Sequence, residues 1–167
     1  MKSFIVGVML LGAVASAAAQ QPKYGVKATF DKATPFTAVK TYAWTPGWAA
    51  FLWPIDLRIV TAVDREMERL GFVKVESAPS DVLVTYAAVM RTDVDLKSKL
   101  PENPKLRREY RVGTLVVLLR EPQTYRELFR ARADAPLAAD ADGVANQIDV
   151  LVARMFERYP TRTGEGR

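Results

Sequence analysis

Two segments constrain this chain more than any others: "DVLVTYAAVM" (81–90) and "GTLVVLL" (113–119) are apolar at both alternating sets of positions. In the first, Val82, Val84, Tyr86 and Met90 fall on one side, and Leu83, Ala87 and Val89 on the other. A strand with two apolar faces is stable only in the middle of a sheet with both faces covered. Any fold for this chain must therefore place these strands centrally and supply cover on two sides.

The flanking segments show single-faced patterns. Val26, Ala28 and Phe30 alternate with Lys27, Thr29 and Asp31, the period-2 signature of a half-buried strand. The turn "DKATP" leads to a second strand over Ala38–Trp44, with Ala38, Lys40, Tyr42 and Trp44 on one face. Over Glu127–Ala135, Phe129, Ala131 and Ala133 face one way, with Leu128, Arg130 and Arg132 opposite. A short strand is expected over Phe72–Glu76, after the helix described next.

Helical spacing appears twice. Ile59, Val63, Met67 and Leu70 recur at helical intervals over Asp56–Leu70, with Arg58, Arg65, Glu66, Glu68 and Arg69 on the polar side. Asp56 is the expected N-cap, Ile55 and Val60 form a hydrophobic staple, and Gly71-Phe72 reads as a Schellman stop. A second helix spans about Asp142–Tyr159, with Val144, Ile148, Leu151, Val152, Met155, Phe156 and Tyr159 at helical spacing and Pro160 as its end. Two helices and about six strands define an α+β two-layer sandwich, a mostly antiparallel sheet with both amphipathic helices on one face. The second face then needs another cover, and either the ring-rich segment 44–53 or another subunit is the candidate.

The N-terminus fixes the expected compartment. Lys2 precedes an apolar run from Phe4 to Val14, followed by Ala17-Ala18-Ala19, the pattern of a cleavable secretory signal peptide. Residues 1–19 are the expected signal, 20–160 a single domain and 161–167 a disordered tail. The apolar run is shorter than the ~20 residues a membrane span needs, so the mature chain is expected to be soluble, periplasmic and without a transmembrane segment. With no cysteine there is no acceptor for a lipid anchor, no disulfide and no thiolate chemistry. The absence of histidine as well excludes His-based triads and the common zinc-hydrolase sites, so neither metal nor cofactor is expected.

The formal charge is +5, from 24 basic and 19 acidic residues. Outside the cytoplasm such a mild excess points to anionic envelope polymers or headgroups rather than to nucleic acid, its plainer role being solubility. Candidate anion-binding residues are Arg107, Arg108 and Arg111, in a charged connection with Lys105 and Tyr110, together with Arg130 and Arg132, whose guanidinium forks suit phosphate and carboxylate. The plainer reading of the connection is a solvated loop, and of Arg130 and Arg132 an edge strand guarded by charge. Trp48, Phe51 and Trp53, beyond the second strand in "TPGWAAFLWP", are the candidate partner-binding residues, as displayed aromatic anchors; their plainer reading is core. Two carboxylate pairs, Asp93 with Asp95 and Asp64 with Glu68, keep open an enzyme acting on cell-wall or saccharide substrates, although such pairs occur on most polar faces.

From "FTAVKTYAW" onward, through "IVTAVDREMERLGF", "SDVLVTYAA", "GTLVVLL" and "VARMFERYP", the chain resembles the bacterial envelope proteins of the domain of unknown function 4136 family. That resemblance implies export and a fold rather than an activity. Family members are often lipidated, whereas this chain lacks the cysteine. It has Phe129-Arg130-Ala131 where members tend to carry Trp-Arg-Gly, and Tyr125 where a glycine is common. The expected function is a non-enzymatic envelope binding or scaffold module using the aromatic loop and the uncovered sheet face. The alternatives are the carboxylate enzyme and a self-associating structural subunit, a homodimer being one form of it.

Overall fold

The computed structural model describes residues 24–47, 53–76, 79–98, 100–103 and 108–163. The signal segment, its cleavage site and residues 164–167 of the expected tail lie outside them. A six-stranded sheet runs in the order β1-β6-β5-β4-β2-β3, built from β1 (Gly25–Phe30), β2 (Thr41–Trp44), β3 (Val73–Lys74), β4 (Val82–Asp95), β5 (Arg108–Arg120) and β6 (Glu127–Pro136). Helices α1 (Trp53–Arg69) and α2 (Ala141–Phe156) pack on each other and on one face, and a short α3 (Pro160–Thr163) follows. Pro160 therefore opens a helical turn; the long helix has already ended at Phe156.

The sheet is mixed. Pairs β1–β6, β6–β5 and β5–β4 are antiparallel, but β2 runs parallel to both β4 and β3. The expectation of a mostly antiparallel sheet is thus corrected at one end, where α1 lies between β2 and β3 in the chain and makes the crossover that parallel pairing requires. As the two-faced patterns require, β4 and β5 are central. Both are longer than their apolar cores: the ladder continues from Met90–Gly113 out to Asp95–Arg108, so much of the charged connection is paired strand rather than loop.

The core lies between helices and sheet. Ile59, Val63 and Met67 of α1 and Ile148, Val152, Met155 and Phe156 of α2 are buried against Val84, Val117, Leu119, Phe129 and Ala131. Tyr159 stands among Phe36, Phe72 and Phe129 in edge-to-face contacts, the geometry preferred by ring quadrupoles.

Helix α1 ends as its sequence indicates. Gly71 adopts φ 84°, the Phe72 amide donates to Met67 O at 3.1 Å and the Gly71 amide to Glu68 O at 2.8 Å, which together make a Schellman motif. Its start differs from expectation. The helix begins at Trp53, so Asp56 lies within the first turn rather than at the N-cap, and Pro54 presets the helical φ where no amide partner exists. In α2 the cap is Asp140, whose carboxylate accepts the Gly143 amide at 2.7 Å.

Candidate functional site

Strand register divides the side chains between two faces. On the helix side are Val84, Tyr86, Ala88 and Met90 of β4, Leu119, Val117, Leu115, Gly113, Arg111 and Glu109 of β5, and Phe129, Ala131, Ala133 and Ala135 of β6. On the face away from the helices are Thr85, Ala87, Arg91 and Asp93, then Leu118, Val116, Thr114 and Tyr110, then Arg130, Arg132 and Asp134, and finally Lys27 and Thr29 of β1.

The face away from the helices has three zones. At its outer end is a hydrogen-bonded network: Arg91 contacts Asp93 and Asp134, Thr114 Oγ1 donates to Asp134 at 2.6 Å, and Arg132 holds the same carboxylate at 2.7 Å. The Tyr24 hydroxyl donates to Asp93 at 3.1 Å and shares a 2.5 Å contact with Tyr110, which pins the start of the described chain to the sheet. The Arg132 guanidinium, the Thr114 hydroxyl and Arg91 hold Asp134 well below the usual carboxylate range, against the opposing effect of its partial burial.

The second zone is apolar. Val116 and Leu118 lie between Ala87 and Thr85 on one side and the β6 cations on the other. Pro46 O accepts the Thr85 hydroxyl at 3.3 Å, so the chain leaving β2 reaches this face. Gly47 is obligatory there, because a Cβ would stand 2.3 Å from Thr85 Oγ1 and from the Tyr86 carbonyl.

The third zone is cationic. Lys27 stands directly opposite Arg132, and Arg130, opposite Thr29, is one step along the same face. Arg132 is partnered by Asp134, and Arg130 reaches Glu127 only at 3.5 Å. The edge-protection reading of Arg130 and Arg132 does not hold, since β6 is interior, with β1 on one side and β5 on the other.

The remaining expected site residues separate. Arg107, Trp48 and Phe51 lie outside the described residues, and Trp53 opens α1. Arg108 faces away from the helices opposite Asp95, whereas Arg111 is on the helix side, so these two arginines do not share a face. Trp44 does not cover the second face. It points toward α1, where its Nε1 donates to Asp64 at 2.8 Å, beside the Tyr42 hydroxyl and Lys74 Nζ. Asp64 is thereby an acceptor that ties α1 to β2 and β3, and Asp93 an acceptor in the network above.

A groove on the helix side is absent from the expectations drawn from sequence. The helices stop short of the outer ends of β4, β5 and β6, which leaves a cavity of about 680 Å³. Its floor is Ala88, Ala133 and Ala135, with the Leu137 side chain lying over Gly113, and Ile55, Ile59, Val144, Ile148 and Leu151 form its helical wall. Met90 stands at this end and is 57% exposed, although the alternation alone groups it with buried Val82 and Val84. Small side chains on the helix side of three neighbouring strands were the available signal, visible only once register is known.

The model of the domain of unknown function family DUF4136 matches residues 26–161. The chain belongs to that family. A search of the curated proteins returned no match. Among solved structures, the chain is similar to a PDZ domain protein from Parabacteroides distasonis ATCC 8503, at 14% identity and a TM-score of 0.57 over 82% of this chain, and it spans 35% of that protein. It is also similar to the PelC dodecamer from Paraburkholderia phytofirmans, at 10% identity and a TM-score of 0.51 over 80% of this chain and 94% of that one. At these identities the likeness defines the fold.

Proposed function

We propose that this protein is a non-enzymatic binding module of the cell envelope, exported and cleaved near Ala19-Gln20 without a lipid anchor, and that it holds an acidic envelope polymer on the sheet face away from its helices. The observation that carries this reading is the row Lys27, Arg130 and Arg132. Like charges directly opposite across an antiparallel pair destabilise a sheet; Lys27 lies on the edge strand β1, but Arg130 and Arg132 lie on interior β6, where edge protection gives them no purpose. Asp134 already holds Arg132, so an anionic ligand would supply countercharge chiefly to Lys27 and Arg130. The adjacent Val116 and Leu118 offer apolar contact to sugar-ring faces, and Trp48, Phe51 and Trp53 are proposed to add aromatic contacts from the segment that follows Gly47. The carboxylates Asp64 and Asp93 are occupied as structural acceptors, which favours binding over acid–base chemistry.

Retention of polygalacturonate by the immobilised protein tests this reading. It is expected to fall as salt rises and to fall about tenfold or more in Lys27→Glu/Arg130→Glu, two charge-assisted contacts being removed. Equal retention by the double variant would overturn it.

A second reading, a self-associating subunit, is favoured by β4. Beyond Tyr86 no strand among the described residues pairs with this side of β4, where Val89, Met90 and Val94 are exposed. The PelC structure is described as a dodecamer, and sedimentation of this chain tests whether the similarity extends to assembly.

A further inference from the structure

The helix-side groove is chemically unlike the face across the sheet. Floor and wall are aliphatic side chains or glycine, and its volume of about 680 Å³ is that of a small-molecule site. Most of its polar members are already engaged. Gln147 binds the Ala138 amide and the Pro136 carbonyl, both at 2.9 Å, and Asp140 caps α2. Thr114 and Tyr110 direct their hydroxyls to the other face, toward Asp134 and Tyr24. Two lining side chains remain uncommitted: Glu109 and Arg111, both exposed, two residues apart on the same side of β5, with no hydrogen bond or ion pair among the described residues.

We propose that this groove binds a single-chain zwitterionic phospholipid, its acyl chain lying on Ala88, Ala133 and Ala135 beside the Leu137 side chain, its phosphate on Arg111 and its ammonium on Glu109. An aliphatic trough without donors or acceptors along its floor matches a hydrocarbon chain, whose burial is favoured in proportion to the apolar area removed from water. At the open end, one cation and one anion side by side complement a headgroup that carries both charges. A purely anionic headgroup meets Arg111 but is opposed by Glu109. The arginine fork suits a phosphate, for which a lysine would act only as a point charge. This site is distinct from the cationic row, so each stands or falls without the other.

The test is calorimetric titration of the full chain with palmitoyl-lysophosphatidylethanolamine below its micelle concentration, with lysophosphatidylglycerol as comparator. A one-to-one complex is expected, with lysophosphatidylglycerol about tenfold weaker for loss of one charge-assisted contact. Ala135→Phe, which fills the floor, should abolish binding. Arg111→Gln and Glu109→Gln, both at exposed positions, should each weaken the phosphatidylethanolamine lipid several-fold, and Glu109→Gln should narrow the difference between the two lipids. Should Ala135→Phe prove unfolded by circular dichroism, the two surface variants still decide the matter. No complex with the wild-type chain, or one indifferent to both surface variants, would overturn the proposal.

Discussion

Trp44 and Asp64 are joined by a 2.8 Å hydrogen bond from the indole Nε1 to Oδ1, the same oxygen that accepts the Tyr42 hydroxyl at 2.8 Å. One carboxylate thereby fastens α1 to β2, and through Lys74 Nζ at 2.7 Å to β3 as well. Asp64→Ala should destabilise the domain by about 2–4 kcal/mol, because it leaves the buried Tyr42 hydroxyl and the indole N–H without their acceptor. Trp44→Phe removes one donor and keeps most of the packing, so its cost should be about 1 kcal/mol. Urea denaturation of both variants measures the difference. Equal midpoints for Asp64→Ala and the wild-type chain would mean that this junction does not hold the parallel end of the sheet.

Gly71 closes α1 at φ 84°, and a Cβ there would meet nothing within 4 Å. A substitution therefore tests backbone conformation alone. Gly71→Val should cost about 1–3 kcal/mol, and Gly71→Ala about 1 kcal/mol, since both side chains disfavour the left-handed region and the branched one does so more strongly. Their ranking in thermal unfolding checks the argument: an equal loss for both would point away from backbone strain.

Tyr125 presents the reverse case. Its φ is 58°, in the turn between β5 and β6, its amide donates to Glu121 O at 2.9 Å, and it is 59% exposed. The side chain adds little packing to offset the left-handed conformation. Tyr125→Gly should stabilise the fold by up to about 1 kcal/mol, the relief of strain slightly exceeding the entropy that glycine adds to the unfolded chain. Lower stability in this variant would show that the Tyr125 ring has a contact worth more than the strain.

Asp134 links stability to pH. Its carboxyl is held below the ordinary range by Arg132, Thr114 and Arg91, so the folded chain keeps it ionised after the unfolded chain has begun to protonate it. Its contribution is fully present above the unfolded value of about 4 and is lost as pH falls through the lower folded value. Asp31, Asp81 and Glu121 are shifted in the same direction. Asp134→Asn should therefore lessen, without abolishing, the decline in stability below about pH 4. An unchanged slope in acid denaturation would remove Asp134 from the account.

Much of the fold was legible because it follows from local rules. Period-2 alternation placed Phe129, Ala131 and Ala133 on the buried face, two-faced apolar runs made β4 and β5 central, and Gly71-Phe72 marked the end of α1. What stayed hidden depends on which strands become neighbours. The parallel pairing of β2 with β4 is a long-range choice that no alternation records. The meeting of Lys27 with Arg132 requires β1 to lie beside β6, which are more than 90 residues apart in sequence. The groove arises because the helices end short of the sheet, so that Ala88, Ala133 and Ala135, unremarkable singly, become one floor beside Leu137. Trp44 was legible as a strand residue but not as the partner of Asp64, because alternation gives a face and not an acceptor.

The most direct measurement is a residue-resolved nuclear magnetic resonance titration of the chain with polygalacturonate oligomers. Shifts are expected to concentrate at Lys27, Thr29, Arg130 and Arg132, to extend toward Val116 and Leu118, and to fade at high salt as screened charge contacts should. Shifts confined to the helix side, or no shifts at low salt, would contradict the claim that the sheet face away from the helices is the binding surface.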